Sequence, residues 1–305
     1  MLDRCQMTDP FMMFLPELLL ILLGGLARNW VKWDTWRDIN RLSYRIFFPA
    51  LLFHAASGHA ISASDVLTIG LAVWALLGIG FILGLLTRSL GPEKFLDFAG
   101  IWQTSWRFNS ALAFVVMTSL PPASAALMSA AIGVGVPMAN LLAVGVLSHG
   151  TGKGHLGTLK LVAMNPFLLA SMAGLIVSMS GITLPTVPMQ TIGKLAGIAV
   201  PLALLSLGAN MDWRALHRLG GIEVALNTIK LIALPLAALI IGYVCNLPKE
   251  YTIVLVAFAA LPTATVAHIM ASVFGADSGR VSTITAQSTM LGLMTLPCWI
   301  FLAQL

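Results

Sequence analysis

The chain reads as an all-α integral membrane protein, ten transmembrane helices in two inverted five-helix repeats, on three observations. Its 305 residues are 58% hydrophobic and only 10% charged, with a mean hydropathy of +0.91, a composition that cannot clothe a soluble domain in polar surface. Apolar runs of the roughly 20 residues needed to cross a bilayer recur between short polar or Gly/Pro-rich breaks. Helix breakers in the second half of the chain repeat those of the first at a nearly constant offset.

The first span, 11–27, contains LPELLLILLGGLA, with Pro16 and Glu17 near its start. The second, 39–57, carries FFPALLF around Pro49, and the third, 66–87, holds Gly80 and Gly84 at the spacing that lets membrane helices pack closely. The fourth, 98–119, has a polar centre of Thr104, Ser105, Arg107, Asn109 and Ser110, and the fifth covers 123–147. The glycine-rich stretch from Ser148 to Lys160 is the longest gap and too short to fold by itself. One membrane domain, 1–305, is therefore expected, with a first repeat at 11–147, a cytoplasmic connector at 148–160 and a second repeat at 161–303.

The sixth span, 161–180, contains NPFLLASMAGLIV around Pro166, and the seventh, 191–211, contains AVPLALLS around Pro201. The eighth, 222–244, has Lys230 within TIKLIALP; the ninth, 251–274, has Pro262 at mid-membrane; the tenth covers 282–303. Proline removes a backbone donor and clashes with the preceding turn, so span 9 should break or kink there. Backbone groups freed in a bilayer need a cavity or polar partners, and Thr263, Thr265 and His268 are at hand.

Pro16 answers Pro166, Pro49 answers Pro201, and Phe108-Asn109-Ser110 answers Leu261-Pro262-Thr263, all at offsets of about 150. An odd number of spans per half makes the second half lie inverted relative to the first, as in many secondary transporters. Eleven basic residues, Arg28, Lys32, Arg37, Arg41, Arg88, Lys94, Lys153, Lys160, Arg214, Arg218 and Arg280, go with odd-numbered connections, against Arg4, Lys194 and Lys249 on the other side. That asymmetry puts the odd connections in the cytoplasm and both termini outside. The opening MLDRCQMTDP lacks a basic n-region and a cleavage site, so no signal peptide is expected.

Arg45, Arg107 and Lys230 lie inside spans with no comparably central carboxylate. A charge in hydrocarbon costs several kcal/mol unless it faces a cavity or partner, so each marks a site or a clamp. Arg107 offers a planar, permanently charged fork that fits a carboxylate; alternatively it compensates the end of a half-helix or snorkels. Asn109 suits a carboxylate, a cation or a neighbouring helix, and Ser110 joins it as a candidate ligand. Thr263 and Thr265 bind substrate or repair the backbone at Pro262; His268 carries a coupling proton or packs as a neutral ring. Lys230 neutralises the break or attracts an anion, Gln287 offers an oxygen to a coupling sodium, and Arg45 snorkels. Glu17 and Glu223 fall near span ends, where water is expected to reach them.

At INRLSYRIFFPALLF (39–53), RFNSALAF (107–114), VGVPMANLLAVGVL (134–147), NPFLLASMAGLIV (165–177), AVPLALLSLGANM (199–211) and AALPTATVAHIMASVFGAD (259–277), the chain resembles the auxin efflux carrier family. The resemblance is to its bacterial malonate-transporter-like members and spans almost the whole length. It implies an inverted five-plus-five fold similar to bile-acid symporters and sodium/proton antiporters, with spans 4 and 9 interrupted and crossing in the middle. It further implies an elevator carrier in which spans 1, 2, 6 and 7 form a dimerising scaffold while 3–5 and 8–10 carry substrate. Carried over residue by residue, the crossover falls on Arg107-Phe108-Asn109-Ser110 and on Leu261-Pro262-Thr263-Ala264-Thr265. One departure stands out: many members have proline at both crossings, and this span 4 has none.

Other classes lack their marks. Gly152, Gly154 and Gly157 match GxGxxG but join two membrane helices, and no HExxH or GxSxG occurs. Cys5, Cys245 and Cys298 have no metal or disulfide spacing, the fifteen methionines read as packing, and no cofactor or metal is expected. The basic residues form no stripe for nucleic acid, no nucleophile stands with a base as an enzyme needs, and no repeated pore lining suggests a channel. The expected function is secondary transport of a small organic anion across a bacterial inner membrane by a homodimer, driven by a proton or sodium or by neither. A cation antiporter on the same fold is the alternative, although spans 4 and 9 lack the carboxylates that chemistry favours.

Overall fold

A computed structural model describes residues 15–57, 62–151, 166–182, 184–210, 214–264 and 267–304. Among these no strand occurs. The helices are α1 (Leu15–Ala27), α2 (Trp33–Leu42), α3 (Phe48–Ser57), α4 (Ala63–Leu86), α5 (Phe95–Trp102), α6 (Ser110–Ser119), α7 (Pro122–Thr151) and α8 (Pro166–Ser180). They continue as α9 (Thr186–Asn210), α10 (Gly221–Thr228), α11 (Leu234–Val244), α12 (Lys249–Ala260), α13 (Ala267–Phe274) and α14 (Ser278–Gln304). The described parts of the expected spans fall mainly on helix, with α2 and α3, α5 and α6, α10 and α11, and α12 and α13 as composite pairs; positions 11–14, 161–165, 211 and 265–266 of those spans lie outside the described residues. Among the described residues, five stretches, Ala63–Leu90, Ala123–His149, Thr186–Ser206, Gly221–Val244 and Ser278–Gln304, are long and apolar enough to cross a membrane. Outward-facing leucines on α1, such as Leu19, Leu22 and Leu26, fit a lipid environment.

Two sets of helices pack most closely among themselves. The first is α1, α2, α3, α8 and α9, where glycine permits backbone-to-backbone approach: a Cβ on Gly24 would collide with the Leu205 carbonyl, and one on Gly208 with the Ile21 carbonyl. Gly174 of α8 admits Ala56 and the Phe53 backbone of α3 in the same way. Without a hydrophobic drive between helices in lipid, such close contact is the main source of association. The second set is α4–α7 with α10–α14. It contains most of the buried polar side chains, among them Gln103, Thr104, Ser105, Arg107, Asn109, Lys230, Thr263, Gln287 and Ser288. Phe48 of α3 packs against Phe114 of α6 in a tilted pair with ring centroids 5.0 Å apart, joining the sets.

Two helices widen locally into π-turns, Ser43–Phe47 between α2 and α3 and Ile229–Ala233 between α10 and α11. Each ends two residues before a proline, Pro49 and Pro235, whose missing N–H leaves the carbonyl four residues back without a helical donor. In the second case that carbonyl, on Leu231, accepts instead from the Trp299 indole at 2.8 Å. Pro201 lies inside α9 with no π-turn, so the local geometry of Pro49 recurs at Pro235 and not at Pro201. Glu223 departs from its expected place at the water interface: it is buried and bonded to Arg280 Nε at 2.7 Å, because the start of α14 brings a cation to the start of α10.

Gly208→Ala tests the α1–α9 contact against Gly197→Ala on the same helix, where an added Cβ meets nothing within 4 Å. Overpacking costs about 1–3 kcal/mol. Thermal unfolding in detergent should show the first variant clearly destabilised and the second unchanged.

Candidate functional site

Span 4 breaks without a proline. After α5 the chain tightens into a 3-10 turn, Gln103–Ser105, and leaves helical geometry until α6 starts at Ser110. The Thr104 hydroxyl donates to the Ile101 carbonyl at 2.6 Å, and the Ser105 hydroxyl reaches the Trp102 carbonyl at 2.9 Å and the Gly80 carbonyl at 2.8 Å. Hydroxyls that bond back to the preceding turn compete with the helical ladder and satisfy the carbonyls left at its end. Gly80 and Gly84 of α4 make room for this turn: a Cβ on Gly80 would sit 2.9 Å from the Ser105 carbonyl, and one on Gly84 would strike the Ser105 side chain. Asn109 then restarts the helix, its Oδ1 accepting from the Leu112 amide at 3.3 Å as an N-cap.

Span 9 breaks after α12, at Leu261 to Ala264, with Pro262 at the turn; Thr265 lies outside the described residues. The two breaks meet. The Asn109 amide donates to the Pro262 carbonyl at 2.8 Å, and the Thr263 hydroxyl to the Thr104 carbonyl at 2.6 Å. The Thr263 amide is taken by Ser288 Oγ of α14 at 3.0 Å, while Gln103 Nε2 reaches the Ala267 carbonyl at 3.3 Å. Phe108 packs on Phe258 with ring centroids 4.4 Å apart, and Gly135 and Gly292 open space for Phe108 with Phe258 and for Pro262 respectively. Leu261 is fully buried, and Ser110 is half-buried at the start of α6.

Arg107 lies in the span 4 break, 4% exposed. Its guanidinium donates to Gln103 Oε1 at 2.9 Å, to Asn140 Oδ1 of α7 at 2.9 Å and to Met270 Sδ of α13 at 3.4 Å. Each of these acceptors is neutral, and among the described residues no carboxylate pairs with it. The phenol of Tyr44, in the first π-turn, is the other group within electrostatic reach. Gln103, Asn140, Met270, Tyr44 and Ser288 were not singled out from sequence. Ser288 and Gln103 sit beside flagged positions, whereas nothing local marks Asn140 or Tyr44.

The remaining candidates divide. Lys230, on the second π-turn, donates to the Ala259 carbonyl at 3.0 Å, next to the end of α12. Gln287 is buried away from the break: it accepts from Asn227 Nδ2 at 3.2 Å and donates to the Ala215 and Arg218 carbonyls at 2.9 and 3.3 Å. Its neighbour Ser288 is the residue that reaches Thr263. His268 is half-buried near the start of α13, and Arg45 is exposed. Among the described residues no group of His, Cys, Asp and Glu has the makings of a metal site.

A polytopic helical protein with two abutting mid-chain helix breaks and a buried cation beside them belongs to the class of membrane proteins with discontinuous spans. Residues 156–300 match the model of the family described as membrane transport protein. The chain is 34% identical over 155 residues to an uncharacterized transporter of Methanothermobacter thermautotrophicus, a match covering 50% of this chain and 51% of that protein. It is 32% identical over 165 residues to the uncharacterized transporter YfdV of Escherichia coli, covering 52% and 50%. Similarity to the putative malonate transporter of Rhizobium meliloti runs to 304 residues at 25% identity, 95% and 94% of the two chains. The matched region spans about half the length of the first two relatives. The second half of the chain is thus similar to the membrane transport protein family.

The Thr263–Thr104 bond holds the two breaks together, which makes Thr263→Val informative. Loss of one buried hydrogen bond costs about 0.5–1.5 kcal/mol, more where the abandoned acceptor stays dry. A measurable fall in melting temperature is expected for Thr263→Val and recovery for Thr263→Ser.

Proposed function

We propose that the protein is a secondary carrier of a small organic anion, a mono- or dicarboxylate of malonate's kind, working by elevator-type alternating access in a bacterial inner membrane. The observation that carries this reading is Arg107: a buried, permanent cation at the meeting of two helix breaks whose partners are all neutral. A buried charge without a counter-charge is costly, and a bound carboxylate supplies one through two parallel hydrogen bonds. Asn109 caps the start of α6 and its backbone amide meets Pro262 in the other break, so the positive dipole end of that half-helix adds to the attraction for an anion. Asn109, Ser110, Thr263 and Thr265 complete the proposed binding set, with Phe108, Leu261 and Pro262 shaping the break.

In this reading the five-plus-five halves are inverted, and the set α4–α7 with α10–α14 moves against the set α1–α3 with α8 and α9, through which two copies pair. Near full-length similarity to a protein named as a putative malonate transporter supports the choice of substrate class. Both termini lie on the periplasmic side in this topology.

Arg107→Lys keeps the charge and loses the planar fork, so carboxylate binding should weaken by about 1–3 kcal/mol, roughly 5- to 150-fold in Kd. Arg107→Ala should bind worse still. Affinity for a carboxylate panel is read beside thermal stability, and transport is followed in liposomes. A folded Arg107→Lys variant that binds like the wild type would show that the guanidinium serves the helix end and not the substrate.

Cysteine chemistry in intact cells checks the placement once Cys5, Cys245 and Cys298 are replaced. Ser64→Cys should react with an impermeant reagent from outside, Lys94→Cys should be shielded from it, and Leu22→Cys should cross-link to a dimer. Outside labelling at both Ser64 and Lys94 would refute the topology, and failure of the cross-link would remove α1 from the dimer contact.

A further inference from the structure

Lys230 is one of the largest fully buried side chains, 2% exposed, and among the described residues its Nζ has a single hydrogen-bond partner, the Ala259 carbonyl. That carbonyl belongs to the last turn of α12, where the chain breaks and the helical donors run out. The negative end of a half-helix carries about half a unit charge, which offsets an ammonium in part only.

The titratable groups on the elements packed against the π-turn are few, and all are occupied or distant. Glu223 of α10 is bonded to Arg280 of α14 at 2.7 Å. Asp65 of α4 accepts from Tyr251 of α12 at 2.6 Å. Lys249 and Glu250 lie at the exposed start of α12, Tyr243 and Cys298 are exposed on α11 and α14, and the turn Gln103–Ser105 has none. Arg88, beyond the end of α4, is held by the Pro92 and Glu93 carbonyls. No described carboxylate is left to face Lys230.

A second acceptor waits one turn away. Asn227 is buried, and its Oδ1 has no hydrogen-bond partner. The amide is oriented by its Nδ2 bond to Gln287, itself fixed by the Ala215 and Arg218 carbonyls. Asn227 lies at the end of the α-helical part of the span, three residues before Lys230 in the π-turn. An ammonium has three N–H donors, of which the Ala259 carbonyl engages one; an amine has two and a lone pair.

We propose that Lys230 carries the coupling proton of the carrier: its amine takes a proton from the side where the anion enters, and the ammonium gives it up on the other side when the anion leaves. This rests on the anion-carrier reading above. Arginine holds its proton permanently, so Arg107 cannot do this, while lysine can. The arriving carboxylate supplies the negative charge that the ammonium lacks inside the protein. The two bindings are therefore linked, and each strengthens the other by the same factor. With one fixed and one exchangeable positive charge at the crossing, a dicarboxylate crosses with its charge balanced.

The test uses purified full-length protein and malonate as probe. Calorimetry in buffers of different ionisation enthalpy counts protons taken up on binding, and liposomes with an imposed proton gradient report accumulation. The wild type should take up about one proton per malonate and accumulate it. Lys230→Gln and Lys230→Arg should take up none and lose accumulation by at least about tenfold, with Arg retaining malonate exchange; His268→Gln should behave like the wild type. Malonate binding by the wild type without proton uptake overturns this proposal alone, as does undiminished uptake in either Lys230 variant. Failure of the wild type to bind any of a panel of carboxylates overturns the carrier reading and this proposal with it.

Discussion

A bilayer has no water with which to satisfy a backbone group, and this constraint shapes the centre of the molecule. Two helices stop in mid-chain, and each stop releases amides and carbonyls that must find partners inside the protein. The breaks answer one another: Asn109 donates to Pro262, and Thr263 to Thr104. Ser288, Lys230 and the hydroxyls of Thr104 and Ser105 take up further groups around them. Neither break is satisfied alone, so the two must form together, and the glycines at 80, 84, 135 and 292 are the openings that let them meet. A methyl group at any of the four would press on the segment whose backbone bonds hold the crossing.

Hydropathy made most of the helical layout legible in advance. Span 8, expected at 222–244, lies on α10, the π-turn and α11 from Gly221 to Val244, and span 3, expected at 66–87, extends only a few residues further at each end. Membrane thickness enforces that agreement, because a run shorter than the hydrocarbon core leaves backbone exposed to lipid. The π-turns were not legible. Their cause is the carbonyl orphaned by Pro49 or Pro235, and whether the helix widens or kinks depends on a distant donor such as Trp299.

The site was legible in part, for a related reason. Arg107, Asn109 and Thr263 stood out because polar residues in hydrocarbon are costly wherever they occur. Their partners did not. Asn140 is an ordinary polar residue on α7 until the fold brings it 2.9 Å from the guanidinium, and Glu223 looked interfacial until Arg280 of another helix reached it. The break in span 4 was harder to read than that in span 9, because serine, threonine and asparagine end a helix through side-chain bonds that their identities permit without requiring. Proline leaves no such choice.

Among the described residues, the buried cations Arg107 and Lys230 meet different partners. The Arg107 fork contacts side chains on three elements. Lys230 is the residue seated on a terminal carbonyl. The chemistry suits the places: a planar fork with fixed charge holds direction, and a compact ammonium on a flexible stem fills one point at a helix end. Under the proposed reading this separation lets recognition and coupling be tuned independently. The permanent cation keeps the site attractive to a carboxylate at every pH, and the exchangeable one, a few residues from the break in space but on another helix, sets how many charges travel with it.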